Sequence, residues 1–221
     1  MKIKQLPAER IWARLKSEQK LTEEQLEKFQ KYEAYLSEKN KEFNLTAITD
    51  LGGIVRQHFE DSMELRHHID LSTIKTIADI GTGAGFPAIP LKIMYPHLNV
   101  VLLEVTKKKQ QFLQEVINLL ELENVTICDL DWRTFLRITQ ESVDLFVTRA
   151  ALDDLELIRA YRSACFYKNI PIVYWAAELW QAHKRSESFI RRIESYDLGQ
   201  KKRRLVFFGV EVNGQATLQQ D

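Results

Sequence analysis

Apolar positions along this chain change rhythm once, near residue 70. Before that point they recur at helical spacing. In "LTEEQLEKFQKYEAYLSEKNKEFN", Leu26, Phe29, Tyr32 and Leu36 fall on one helix face. Thr22 and Gln25 form a capping-box signature ahead of them. A shorter helical pattern covers about residues 8–19, and "GGIVRQHFEDSMELRHHI" continues it, with Ile54, His58 and Met63 among its spaced positions. After residue 70, short continuous apolar runs alternate with helical stretches. "IKTIADI", "NVVLLEV", "NVTICDL", "VDLFVTRA", "IPIVYWAA" and "RRLVFFGVEV" read as strands. "FPAIPLKIMY", "KKKQQFLQEVINLLELEN", "DLELIRAYRSACF" and a segment spanning about 177–193 read as helices. Apolar strands separated by helices predict an α/β fold: a mostly parallel sheet covered on both faces. The expected organisation is a helical cap over 1–70 and a sheet domain over 71–221, packed as one unit. The tail "NGQATLQQD" is expected to fray.

Composition adds exclusions. Hydrophobic residues make up 45% of the chain and charged ones 28%, which suits a folded core and not a disordered segment. No apolar run approaches the roughly 20 residues of a membrane helix, and the start lacks the apolar core of a secretory signal. Cys128 and Cys165 have no metal-binding or redox spacing, so reduced thiols, no metal and a cytoplasmic setting are expected. Net charge is zero, yet residues 181–204 carry eight Lys/Arg against three Asp/Glu, so a basic face is compatible with neutrality.

The chemistry concentrates in "TIADIGTGAGFPAIP", where Gly81, Gly83 and Gly85 follow the first strand. That turn is where ligands sit in open parallel sheets. Glycine there lets a ligand lie against bare backbone. The dinucleotide pattern G-x-G-x-x-G fails because position 86 is Phe. The spacing is G-x-G-x-G, preceded by Asp79. It disfavours a seated pyrophosphate and suits a ligand without phosphate. Glu104 ends the second strand, placed to accept hydrogen bonds from ribose hydroxyls. Turn and acid together describe an adenosine bearing a zwitterionic tail, S-adenosylmethionine; a purely structural turn is the alternative.

"NKEFNLTAI", "HFEDSMEL", "IADIGTGAGFPAIPLKIMYP", "LLEVTKKKQQFL", "LELENV" and "VTRA" occur in the order found in one family. Over about residues 25–150 the sequence resembles the bacterial small-subunit ribosomal RNA methyltransferase G family, also called glucose-inhibited division protein B, as a divergent member. The resemblance implies a Rossmann-like class I S-adenosylmethionine-dependent methyltransferase fold with an N-terminal helical extension. It implies methylation of N7 of a guanine in 16S ribosomal RNA. The family's cofactor loop falls on Gly81, Thr82, Gly83 and Phe86, with Asp79 just before it, and its ribose acid on Glu104. Its adenine-side pair falls on Trp132 and Arg133, and its strand-end arginine on Arg149. Asn44, Leu45 and Thr46 match "NLT"; His58, Asp61 and Ser62 match "H-x-x-D-S". The sequence departs from the pattern at Gln57, Arg133 and Ala176–Ala177, where the family usually has a basic residue, an acid and a lysine–glycine pair.

Guanine N7 carries no proton at neutral pH, so no general base is expected and positioning carries the catalysis. His58 beside Asp61 reads as a structural hydrogen-bond pair. Arg149 is expected beside the cofactor, holding the target nucleotide. Asn44 either reads a base edge or forms a turn. Lys107 and Lys108 in "TKKK", with Lys201, Lys202, Arg203 and Arg204 in "KKRR", are the RNA-contact candidates. Trp132, Trp175 and Trp180 either stack on a base or fill the core. A monomer acting on 16S RNA or the small ribosomal subunit is expected. Two alternatives stay open from the residues: a relative using the same cofactor on another substrate, and a non-catalytic module docking RNA or a partner.

Overall fold

A computed structural model describes residues 6–149 and 151–212. The frayed-tail expectation for 213–221 lies outside the described residues.

The N-terminal helices form where the apolar stripe predicts them. α1 (Ala8–Gln19) buries Ile11 and Leu15, and α2 (Glu23–Phe43) buries Phe29, Tyr32 and Leu36. Thr22 and Gln25 make both hydrogen bonds of the capping box. The third pattern is not a regular helix. α3 (Leu51–Ile54) runs into a π-helical stretch (Val55–Glu60), then α4 (Asp61–Met63) and a 3₁₀ turn (Glu64–His67). Wide π turns of this kind often mark functional sites.

The described strands are β1 (Thr76–Ile80), β2 (Asn99–Leu103), β3 (Val125–Cys128), β4 (Leu145–Arg149), β5 (Ile172–Ala177), β6 (Ile190–Leu198) and β7 (Lys201–Phe208). They form one sheet in the order β3-β2-β1-β4-β5-β7-β6. The first five strands in that order are parallel; β7 runs antiparallel to β5 and to β6. α5 (Ala88–Met94), α6 (Lys107–Leu119), α7 (Trp132–Ile138) and α8 (Asp154–Leu157) occupy the crossovers. Side chains alternate across the sheet. Ile77, Val100, Leu102, Val147, Val173 and Phe207 pack with Phe29, Tyr32 and Leu36 from α2, so cap and sheet share one core. Ala78, Val101, Phe146, Ile172 and Phe208 face the second layer with Trp132, Phe135 and Tyr167.

Three further expectations need correction. The segment 177–193 is not a helix: it is a loop with a 3₁₀ turn (Glu187–Phe189) leading into β6. The strand expected over "RRLVFFGVEV" starts two residues earlier and stops at Phe208, so all of "KKRR" lies in β7, after the two-residue turn Gly199–Gln200. The helix expected over "DLELIRAYRSACF" is short, α8 followed by a 3₁₀ turn (Ile158–Tyr161).

Candidate active site at the glycine turn

The turn after β1 uses all three glycines with positive φ, and each for a different reason. A Cβ on Gly81 would lie 2.5 Å from that of Ala151, in the loop after β4. On Gly85 it would lie 2.5 Å from Ile89 Cδ1 and 2.7 Å from the Tyr32 hydroxyl. On Gly83 the nearest heavy atom is a loop carbonyl at 4.0 Å, which is open space. Gly81 and Gly85 are therefore packing glycines. Gly83 is the one whose backbone faces open space.

Glu104 faces this position. Its carboxylate accepts from the Gly83 N–H (3.1 Å) and the Thr106 N–H (2.9 Å), and the residue is 5% exposed. Each oxygen keeps a second acceptor site. Beneath the turn, Asp79 is wholly buried. Its Oδ2 accepts from the Thr82 hydroxyl (2.7 Å) and the Ala88 N–H (3.1 Å), while Oδ1 has no hydrogen-bond partner. Burial pushes the Asp79 carboxyl up to about 7, against the lowering pull of those two hydrogen bonds. An open glycine, a carboxylate beside it and an orphaned buried acceptor below fit a nucleoside with a cationic amine. Gly83, Glu104 and Asp79 are the residues that would hold it.

Other candidates are placed differently. The Thr82 hydroxyl turns inward to Asp79. The Phe86 ring is buried, stacked on His58 at 4.5 Å and on Tyr32 at 5.4 Å. The Trp132 indole packs between Phe135 and Phe146 and donates its N–H to the Glu156 carbonyl (2.9 Å), so the side chain is core. Arg133 lies at the surface in a two-bond pair with Glu156. Trp175 is buried too, its N–H on the Asp61 carbonyl.

Arg149 is the hub of a clasp. Its guanidinium donates to the Gln57 carbonyl (2.9 Å), Asp61 Oδ2 (3.1 Å) and His58 Nδ1 (3.0 Å), and lies 5.0 Å from the centre of Phe86. The π stretch supplies two of those acceptors, and Asp61 follows it directly. Asp61 also accepts from the Tyr196 hydroxyl (2.6 Å) and sits 3.3 Å from Arg203 Nε. The expected His58–Asp61 bond is thus replaced by a shared arginine. Desolvation first, and Arg149 second, push the His58 imidazole down to about 3. Its other nitrogen is engaged by the Thr46 hydroxyl at 2.8 Å. His58 is therefore neutral at pH 7 with both nitrogens occupied.

"KKRR" divides by strand alternation. Lys201 bonds Gln57 and Arg203 pairs with Asp61, both toward the cap. Lys202 is exposed, and Arg204 donates to the Trp180 carbonyl. The four do not form one free patch. Lys107 and Lys108 are exposed on α6, Lys107 beside Asp129 at 3.4 Å. Asn44 ends α2 with φ 50°, a left-handed C-cap where Asn is favoured, and its side chain is exposed. Sequence reasoning placed Tyr32 on an apolar helix face but missed that its hydroxyl bonds the Ala84 carbonyl of the turn, and it missed Tyr196 altogether.

The family model described as GidB, rRNA small subunit methyltransferase G, matches residues 25–170. The chain belongs to that family. A relative from Leuconostoc citreum (strain KM20), named ribosomal RNA small subunit methyltransferase G, is 45% identical over 109 residues, 48% of this chain and 46% of its own. The relative of the same name from Bacillus subtilis (strain 168) is 39% identical over 132 residues, 59% of this chain and 55% of its own. The chain thus spans about half the length of these family members. Among solved structures, the mitomycin 7-O-methyltransferase MmcR aligns with a TM-score of 0.56 at 14% identity, covering 80% of this chain and 60% of that one. The fold is the Rossmann-like class I methyltransferase fold, with the reversed hairpin at one edge and helices at its N-terminus. The described residues contain no helix long and apolar enough to cross a membrane.

Proposed function

We propose that this chain methylates N7 of a guanine in 16S ribosomal RNA, using S-adenosylmethionine, as a monomer in the cytoplasm. The observation that carries the reading is the bare Gly83 backbone facing the Glu104 carboxylate, in a member of this family. Bound there, the cofactor supplies a methyl group carried on a positively charged sulfur. Glu104 accepts from the ribose hydroxyls, and Asp79 Oδ1 offers the acceptor for the amine. The substrate nitrogen is unprotonated, so the residues need move no proton. His58 agrees with this, since burial and two occupied nitrogens exclude it as a base. Arg149 holds the π stretch against β4 and so fixes one wall of the cleft; it is a positioning residue. Holding both reactants in line can lower a barrier by about 7–11 kcal/mol. Asn44 and the lysines of α6 are the RNA-side candidates.

The test is transfer of labelled methyl to small-subunit RNA, free and in intact subunits, with mapping of N7-methylguanosine. The expected result is one labelled guanine, absent in RNA from cells lacking the chain. Cofactor binding by calorimetry without RNA labelling would redirect the reading to another substrate. Absence of both would leave a non-catalytic module.

A further inference from the structure

Phe43 is the last residue of α2, only partly exposed, and it belongs to neither apolar core. Two ammonium groups approach that ring: Lys39 Nζ at 5.9 Å and Lys108 Nζ at 6.0 Å from its centre. Lys39 comes from α2 itself and Lys108 from the first turn of α6. Lys39 is partly balanced by Glu42 at 3.7 Å. Lys108 has no carboxylate partner among the described residues. Lys107, Lys108 and Lys109 crowd the start of α6, where positive charge opposes the helix dipole. An anion brought to this corner relieves that conflict.

Two short runs of contacts lead from this corner to the glycine turn. Asn44 to Thr46 follow Phe43 directly, and the Thr46 hydroxyl reaches His58, which stacks on Phe86 of the glycine turn. Lys109, next to Lys108, places Nζ 3.9 Å from the Glu104 carboxylate. A ring with two ammonium groups over it suits a ligand that brings both a flat π face and negative charge. An unpaired nucleotide combines the two. An acidic peptide satisfies the lysines and leaves the ring uncovered.

We propose that Phe43, flanked by Lys39 and Lys108, is a stacking platform for an unpaired base of the RNA substrate, with the two ammonium groups on the adjoining phosphates. This rests on the RNA reading above and names where that substrate is gripped outside the reaction centre.

The probe is a fluorescein-labelled RNA hairpin with guanine in its loop, bound to the full chain and followed by anisotropy across a salt series. Alanine at a base-stacking aromatic typically weakens binding about 5- to 150-fold. Phe43→Ala is expected to fall in that range with its salt dependence unchanged. Phe43→Leu should resemble it, because it keeps apolar bulk and loses the π face. Phe43→Trp should restore affinity, with indole emission quenched on RNA addition. Lys108→Ala should reduce the slope of log affinity against log salt by about 0.7, one single-strand phosphate. Cofactor titration should be unchanged in all four, which also certifies their fold. Wild-type binding with an indifferent Phe43, full rescue by leucine, or displacement of the hairpin by a polyglutamate peptide with equal loss in Phe43→Ala, overturns the platform alone. Failure of the wild-type chain to bind the hairpin at low salt overturns the RNA reading and the platform together.

Discussion

Replacing Arg149 with alanine tests whether the clasp is structural. The change removes the donor to Asp61 Oδ2, the donor to His58 Nδ1 and the donor to the Gln57 carbonyl. Breaking a buried ion pair outright costs about 3–5 kcal/mol. Asp61 keeps Tyr196 and Arg203, so its share should sit below that range, near 2 kcal/mol by the same reasoning. The buried His58 nitrogen, left without its donor, adds about 1–3 kcal/mol. A total of about 3–5 kcal/mol lowers the melting temperature by roughly 6–20 °C in a chain of this size. Circular dichroism melts read this directly, with calorimetric titration of S-adenosylmethionine alongside. Arg149→Lys should recover little, because a point charge cannot serve three acceptors arranged for a planar fork. An unchanged melting temperature with RNA methylation abolished would refute the reasoning. The guanidinium would then belong to the substrate and not to the wall.

The remaining predictions concern the turn itself. Gly83→Ala should cost only about 1–2 kcal/mol of stability, from its left-handed backbone, yet weaken cofactor binding strongly. Gly85→Ala should cost about 3 kcal/mol or more, because overpacking against Ile89 and Tyr32 adds to the strain; chemical denaturation of the pair separates ligand glycine from packing glycine. Asp79 has its folded carboxyl raised to about 7 from an ordinary 3.8, so the folded state holds the extra proton between those values. Stability is then lost as pH rises from about 4 to 7, by up to about 1.4 kcal/mol per unit, and Asp79→Asn should flatten the profile of urea midpoint against pH. An equally sloped profile in the variant would assign the effect elsewhere. Glu104→Gln keeps the shape but supplies one acceptor oxygen and an unwanted donor; cofactor affinity should fall about tenfold or more, with the melting temperature within a few degrees of the parent.

The parallel core of the fold was legible because its strands are continuous apolar runs closed by glycine or charge. The capping box announced α2, and the glycine triplet and Glu104, singled out together in the sequence, do meet at the turn after β1. The C-terminal hairpin was hidden by its own chemistry. On β6 the inward face carries Arg192 and Glu194, while Ile193 is 44% exposed. Arg192 lies inward because it covers Phe207 at 4.0 Å and bonds the His68 carbonyl. Alternation read from hydrophobicity alone therefore fails there. α7 left a signal that went unused: Asp131 caps it, accepting from the Arg133 and Thr134 N–H groups. The clasp was illegible for another reason. His58, Asp61 and Arg149 stand out in the sequence, but nothing local says that one arginine serves both, or that Tyr196 and Arg203 join them.

That clasp has a consequence for how the molecule comes into being. Tyr196 and Asp61 stand 135 positions apart, and Trp175 and Asp61 114. Chains emerging from the ribosome assemble their early parts first. The helices and first strands can gather while synthesis continues, but the wall beside the cleft has no finished form until the last hairpin arrives. A copy that lacks the β6–β7 hairpin therefore carries a complete glycine turn beside a wall missing Tyr196 and Arg203, the two partners that reach Asp61 from that hairpin.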